Sequence, residues 1–384
     1  MSYLFTSESV SEGHPDKVCD CISDTITDLF LGKDPAARTA IETLATTNFV
    51  LLAGETNSCA KITQEEIEQT VREAIKEIGY DQEGFHWKNL KITNLIHKQS
   101  CDIAQGVDRD GAGDQGIMFG YAKNDGKHCQ EFMPLAISLA HNILQNLSLA
   151  RHTGEVNGLK PDAKSQVTLE YNDKHQPIGV HSVVLSTQHS EKLSQADIRE
   201  IAKKYINQSL PDGWMPRDEN IFINPTGRFV IGGPDGDTGL TGRKIIVDNY
   251  GGYAPHGGGA FSGKDPSKVD RSAAYMMRHL AKNVVASGLA DECLLQISYA
   301  IGMADPLSFY INCNGTNRFD ETKILKTLRE FVDLTPKGII KYLDLRRPIY
   351  ATTAAYGHFG RVPSNEGHFS WERTNLADEL KKCF

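Results

Sequence analysis

The feature that most constrains this chain is an order of elements that runs three times. From His14, HPDKVCDCISDTITDLFL spaces Val18, Ile22, Ile26 and Leu29 along one helical face and puts Pro15 at a favoured first-turn position, with Asp16 beside it. Two strands, RTAIETLATT and NFVLLAGE, lead to a second helix, TQEEIEQTVREAIKEIG, whose Thr63 and Glu66 have capping-box spacing and whose Gly79 supplies the stop. LKITNLI closes the block as a strand. The order returns as a helix in PLAISLAHNILQNL, strands SQVTLEY and GVHSVVLST, a helix in SQADIREIAKKYI and a strand in IFINPTGRFVI. It returns again as the helix KVDRSAAYMMRHLAKNVVA, the hairpin of ECLLQISYAIG and SFYINCN, and the helices ETKILKTLREFV and PKGIIKYL. The blocks start at Pro15, Pro134 and Lys268, roughly a third of the chain apart, which predicts three similar α+β units. The repeat is one of element order alone, and chance recurrence of three such runs is the competing account.

A chain of 384 residues has room for two or three such units, and 40% hydrophobic with 23% charged residues describes a chain folded throughout. Its net charge of -8 argues against nucleic acid as a partner and requires any polyphosphate site to be a local cluster of Lys and Arg. The eight cysteines, Cys19, Cys21, Cys59, Cys101, Cys129, Cys293, Cys313 and Cys383, show no CxxC pair or metal-finger spacing and are expected as reduced, mostly packing thiols. MSYLFTSESVSEGH has neither a basic segment nor an apolar run of signal-peptide length, and no later stretch is apolar for long enough to span a bilayer. The expected compartment is the cytosol, with no membrane partner.

Chemistry concentrates in three places. Between Asn224 and Arg271 the chain is rich in glycine, which allows close backbone approach, and carries Arg228, Arg243, Lys244, Lys264, Lys268 and Arg271. That combination suits a polyphosphate, although such loops are often plain turns and neither a Walker nor a Rossmann glycine pattern is present. GHPDK, Gly13 to Lys17, places His14 and Asp16 at a helix amino terminus, where free N–H groups, an imidazole and a carboxylate can hold a phosphate and its Mg²⁺. An ordinary helix start is the alternative. Asp20, Asp24 and Asp28 continue the row at spacing four and read as a solvated face. Lys98 to Tyr121, KQSCDIAQGVDRDGAGDQGIMFGY, is too rich in Gly, Asp and Gln for a core element and reads as an active-site lid, with an exposed loop as the alternative.

GAGDQGIMFGY and GGGAFSGKD resemble the two signature segments of S-adenosylmethionine synthetases. FTSESVSEGHPDK, DAKSQVTLEY, VVLSTQHS, INPTGRFVIGGPDGDTGLTGRKIIVD and KDPSKVDRSAAY are similar to the same family in the same order, over Phe5 to Arg361. The resemblance implies three similar interleaved α+β domains around a pseudo-threefold, each a mixed sheet with helices on one face. Taken with the residues, it predicts units at 1–100, 112–231 and 232–384, and a mobile active-site loop at 98–112. It implies a homodimer, or a homotetramer built as a dimer of dimers, with active sites between subunits. ATP and L-methionine are the implied substrates and Mg²⁺ and K⁺ the implied cofactors.

By the same resemblance, ATP is bound by His14, Asp162, Ala163, Lys164, Arg228, Phe229 (stacking on adenine), Asp237, Arg243, Lys244, Ala260 and Lys264. Methionine falls to Glu55, Gln99, Asp237 and Lys268, Mg²⁺ to Asp16 and Asp270, K⁺ to Glu42, and Asp114 is a further candidate near the metals. The catalytic groups are implied to be His14, Lys164, Arg243, Lys244 and Lys264. A thioether has no proton to lose, so attack of sulfur on C5′ of ATP needs alignment and positive charge but no base. Hydrolysis of the triphosphate to pyrophosphate and phosphate is implied to follow. An ATP-dependent phosphotransferase or ligase and a catalytically silent nucleotide sensor are the alternatives. The chain departs from the family pattern after Arg109, where only Asp110 precedes GAGDQG, and at VPSNEGHFSWE, which is longer than usual.

Overall fold

The computed structural model of the chain describes residues 2–99 and 111–384. Its first stretch runs β1 (Tyr3–Val10), α1 (Pro15–Lys33), β2 (Arg38–Thr46), β3 (Phe49–Asn57), α2 (Gln64–Ile78), β4 (Asp81–Gln82), β5 (Phe85–His86) and β6 (Lys91–Lys98). The second runs β7 (Gly116–Lys123), α3 (Leu135–His152), β8 (Leu159–Tyr171), β9 (Pro177–His189), α4 (Gln195–Ser209) and β10 (Ile221–Ile223). The third runs β11 (Gly239–Leu240), α5 (Ile245–Asp248), α6 (Val269–Ala286), β12 (Glu292–Tyr299), β13 (Ser308–Asn312), α7 (Glu321–Phe331), α8 (Pro336–Leu343) and α9 (Ala377–Lys382). The expected helix signals hold: Thr63 and Glu66 form the capping box of α2, and Gly79 ends it at φ 101°.

Three larger sheets are present among the described residues, in the orders β11-β2-β3-β6, β1-β8-β9-β10 and β13-β12-β7. Helices α1 and α2 cover the first, α3 and α4 the second, and α6 with α7 and α8 the third. Each sheet takes one strand from a neighbouring stretch of chain. The amino-terminal strand β1 pairs with β8, β7 pairs with β12, and β11 pairs with β2, so the exchange closes in a cycle. This is the α+β, three-unit, interleaved architecture expected. One detail differs: β6 and β10 join their sheets in parallel, whereas the third sheet is antiparallel throughout its described strands.

Three further expectations are corrected. The lid reading of Lys98 to Tyr121 cannot extend past Gly116, because β7 is an ordered strand with Met118, Tyr121 and Ala122 buried against α6 and β12. The mobile loop expected at 98–112 falls largely on 100–110, outside the described residues. IFINPTGRFVI is a strand only at Ile221–Ile223, because Asn224 turns to φ 41° and Pro225 has no N–H to offer a ladder. The Asn224 side chain pairs instead with both backbone groups of Thr187, at 2.8 and 3.0 Å. Finally, Asp20 and Asp24 do not form a solvated face: both are fully buried, because the glycine-rich loops pack on that side of α1.

Candidate active site

The start of α1 lies against β8. Val10 stands opposite Lys164, the Ser11 amide donates to the Ala163 carbonyl at 2.9 Å, and the Ser11 hydroxyl donates to the Pro161 carbonyl at 2.7 Å. His14 caps the helix, its Nδ1 accepting the Asp16 amide at 3.1 Å. The proton of the neutral ring therefore sits on Nε2, free to donate. Burial first, then the ammonium groups of Lys244 and Lys164, push the pKa of His14 down to about 3. It is a neutral donor at any physiological pH.

Asp16 accepts the Leu240 amide at 3.0 Å and the Lys244 ammonium at 2.6 Å, with Arg243 at 3.9 Å. Burial opposes its charge, yet Lys244 and the Leu240 amide hold its pKa below the ordinary value. Asp162 takes the Gly233 amide on one oxygen at 2.8 Å and leaves the other, buried, without a hydrogen-bond partner. Burial pushes its pKa up to about 6. Lys164 and Asp237 are exposed beside it. Phe229 is held by His189, whose Nε2 accepts its amide at 3.1 Å and whose own amide donates to its carbonyl at 2.9 Å. Arg228 pairs with Glu191 at the surface.

A second cluster forms at the other end of β2. A bridge from Ala40 to Lys264 continues the edge that β11 covers at Leu44 and Ala45. Lys264 pairs with Asp270 at 2.7 Å. A side chain on Gly259 would lie 2.4 Å from the Asp270 carboxyl carbon, so only glycine leaves that carboxylate its space. Lys268 immediately precedes α6 and pairs with the buried Asp265 at 2.5 Å, while Asp265 also accepts the Thr39 amide at 2.8 Å. Glu42 and Glu55 share the outward face of the first sheet, where Glu55 lies 3.8 Å from His97. Gln99 ends the same row, its amide donating to Thr56 at 2.9 Å and its side-chain carbonyl buried without a partner among the described residues.

The structure thus groups His14, Asp16, Asp162, Ala163, Lys164, Asp237, Arg243 and Lys244 at one place, and Glu42, Glu55, Lys264, Lys268 and Asp270 at another. Ala260 lies between, packed on Gly242. Leu44 and Ala40 mark the two places on β2, about 13 Å apart at about 3.3 Å per residue. Asp114 is exposed and accepts only the Gln115 amide among the described residues. Arg271, expected among the polyphosphate cations, is instead fully buried and spends its charge on Asp24, while sequence reasoning missed Lys17 and Asp248 as buried partners of this region and His189 as the support of Phe229. The row of aspartates at spacing four was the available signal.

Fold and site together define a class: an α+β protein of three units that exchange strands, with lysines and arginines on glycine-rich loops facing carboxylates at two helix starts. Three family models match in sequence: the N-terminal domain of S-adenosylmethionine synthetase over residues 2–101, the central domain over 109–229 and the C-terminal domain over 231–373. The S-adenosylmethionine synthase of Paramagnetospirillum magneticum is 60% identical over 388 aligned positions, covering 100% of this chain and 99% of the relative. Those of Maricaulis maris and Parvibaculum lavamentivorans are 60% and 59% identical, each over 99% of this chain and 98% of the relative. The chain belongs to the S-adenosylmethionine synthetase family, and it is a methionine adenosyltransferase.

Proposed function

We propose that the two clusters form one reaction centre for adenosyl transfer, each contributed by a different copy of the chain in a homodimer or a dimer of dimers. The observation that carries this is their separation: in one copy, Asp16 with Lys244 and Asp270 with Lys264 lie at opposite ends of a stretch of β2. Leu95 and Leu240 stand exposed on the sheet face that also carries Glu42 and Glu55, which suits an interface between copies.

In this reading Phe229 stacks on adenine, with Asp162, Ala163, Arg228 and Ala260 around the nucleoside. Lys164, Arg243, Lys244 and Lys264 surround the triphosphate, and the Nε2–H of neutral His14 donates to one of its oxygens. Glu55, Gln99, Asp237 and Lys268 hold the polar groups of methionine and aim its sulfur at C5′. Alignment of two bound reactants supplies roughly 7–11 kcal/mol towards the barrier, and preorganised cations supply much of the remainder. The C–O bond at C5′ breaks as the C–S bond forms, and the electron pair leaves with the triphosphate. The same cations then hold triphosphate while it is hydrolysed to pyrophosphate and phosphate.

No three His, Cys, Asp or Glu side chains converge as a metal cage among the described residues. Single carboxylates at Asp16 and Asp270, the latter in a space kept open by Gly259, fit Mg²⁺, which takes one or two carboxylates and completes its shell with phosphate and water. Mg²⁺ there supplies charge neutralisation of the leaving triphosphate. Glu42, with Glu55 on the same face, is the matching place for K⁺. The seven described cysteines are all unpaired thiols, in keeping with the cytosol as the compartment.

The test uses β,γ-imido ATP, which leaves C5′ and its oxygen intact but blocks cleavage of the phosphate chain. With labelled methionine, Mg²⁺ and K⁺, rapid quench is expected to show a burst of S-adenosylmethionine of about one per site and then slow turnover. No sulfonium product, from enzyme active with ATP, would mean that phosphate cleavage must come first, and direct displacement would fail.

A further inference from the structure

Asp16, Asp20, Asp24 and Asp28 stand four residues apart on α1 and so share one face. Between them they accept main-chain N–H groups from three stretches of the chain after residue 231. Asp16 accepts Leu240 at 3.0 Å, Asp20 accepts Gly242 at 2.9 Å, and Asp24 accepts Gly263 at 2.8 Å. Asp28 accepts Tyr350 at 2.9 Å and Ala351 at 2.8 Å. The four carboxylates form a ladder, and its two middle rungs are fully buried, out of reach of any substrate.

Those middle rungs bracket the cations. Asp20 holds Gly242 and also takes the Lys17 ammonium at 3.1 Å, while Lys17 pairs with Asp248. The chain is therefore fixed at 242 and at 248, on both sides of Arg243 and Lys244. Asp24 holds Gly263 and takes Arg271 on both oxygens at 2.6 and 2.8 Å, while Arg271 donates to the Lys264 carbonyl at 3.0 Å. Lys264 is fixed on both sides as well. Long side chains such as Lys and Arg are preorganised only as far as the main chain that carries them, and electrostatic stabilisation depends on that preorganisation.

Resting on the reading of Arg243, Lys244 and Lys264 as the triphosphate cations, we propose that Asp20 and Asp24 are positioning residues for adenosyl transfer, fixing the loops that carry those cations before ATP arrives. Asp28 is the built-in control, since it makes the same kind of bond to a segment that carries none of them.

The readouts are binding of inorganic tripolyphosphate with Mg²⁺ by calorimetry, together with kcat and the KM for methionine. Asp20→Ala is expected to weaken tripolyphosphate binding tenfold or more and to lower kcat at least as much, with the methionine KM within twofold. Asp20→Asn keeps an oxygen for the Gly242 amide, and Lys17 keeps Asp248, so binding should stay within about threefold of wild type. Asp28→Ala should lower thermal stability yet leave tripolyphosphate binding within twofold. In the wild-type enzyme without ligands, amide hydrogen exchange over 239–244 should be slow for a loop, a measurement that holds even if Asp20→Ala does not fold.

Fast exchange there, tripolyphosphate binding within twofold of wild type in folded Asp20→Ala, an Asn variant as weak as the Ala variant, or an equal loss in Asp28→Ala would each overturn the proposal. Lys244→Met separates the two levels. If it binds tripolyphosphate normally, the cation reading fails and the proposal with it. If it binds weakly while Asp20→Ala binds normally, only the positioning role fails.

Discussion

Helices α1 and α3 open corresponding units and both are deeply buried, yet they bury different chemistry. The interior of α3 is Leu135, Ala136, Ile137, Leu139, Ile143, Leu144 and Leu147, with His141 the one titratable exception. That of α1 mixes Val18, Ile22 and Ile26 with Asp16, Lys17, Asp20 and Asp24. At the second helical position, where α1 carries Asp16 and α6 carries Asp270, α3 carries Ala136. An apolar face settles wherever volume is filled, but a buried carboxylate must meet its donors or be strongly penalised. The first helix thus dictates where the C-terminal loops lie, and the central helix dictates only that its own sheet is covered. Two of the three units supply helix-start carboxylates to the proposed site, and the third supplies a wall through β8, which carries Asp162 and Lys164.

The largest expected effect tests that contrast at its deepest charge. Asp24→Asn removes the carboxylate charge that pairs with the buried Arg271, and removing one member of a buried pair costs about 3–5 kcal/mol. Urea unfolding should show that loss, and kcat should fall with it even where the variant is folded. Leu139→Ala in α3 should lose about 2–5 kcal/mol through its cavity, but with kcat unchanged at temperatures where it is folded. Equal effects of the two on kcat would erase the distinction between the helices.

Next in size are the cations themselves. Lys164→Met, Arg243→Met and Lys264→Met are each expected to lower kcat by on the order of 10²-fold or more, because a preorganised charge facing the leaving group is lost. Steady-state assays on folded protein decide this, and near wild-type rates would remove these residues from the site. Asp16→Asn and Asp270→Asn should move the Mg²⁺ requirement to higher concentration, since a neutral amide is a poorer ligand for a hard cation. A Mg²⁺ titration that matches wild type in both variants would leave α1 and α6 no different in function from α3.

The smallest effect concerns the wall. Asp162 has a folded pKa of about 6 against an ordinary 3.8, raised by burial. The folded state therefore binds that proton more tightly than the unfolded chain, so this group adds stability as pH falls from about 6 and removes it as pH rises through 6. Asp162→Asn keeps an acceptor for the Gly233 amide and should raise stability by on the order of 1 kcal/mol at about pH 8, with a smaller gain at about pH 5. Urea midpoints at the two pH values check the sign, and a loss at about pH 8 would show that the charge is needed where it stands.

Local signals were legible wherever a residue acts on its own neighbours. Pro15, Thr63 with Glu66, and Gly79 mark helix ends by bonds that span only a few residues, and all are where the sequence puts them. The hydrophobic spacing of α1, α3 and α6 likewise follows from one turn to the next. The aspartate row failed for the opposite reason. Spacing four says that Asp16, Asp20, Asp24 and Asp28 share a face, but whether that face meets water depends on loops more than 200 residues later. Strand β7 was hidden in the same way: glycine and aspartate around it suggest a loop, and only pairing with β12 makes it core.

By itself, the sequence determined the three-unit order, the helix ends, the family and the set of chemically competent side chains, because periodicity, caps and motif identity are encoded within a few residues. Tertiary structure alone decided that the units exchange strands in a cycle, that the acid face of α1 is buried, and that the cations divide between the two ends of β2. Those outcomes rest on hydrogen bonds and ion pairs between distant segments, each stable only once the other segment has arrived.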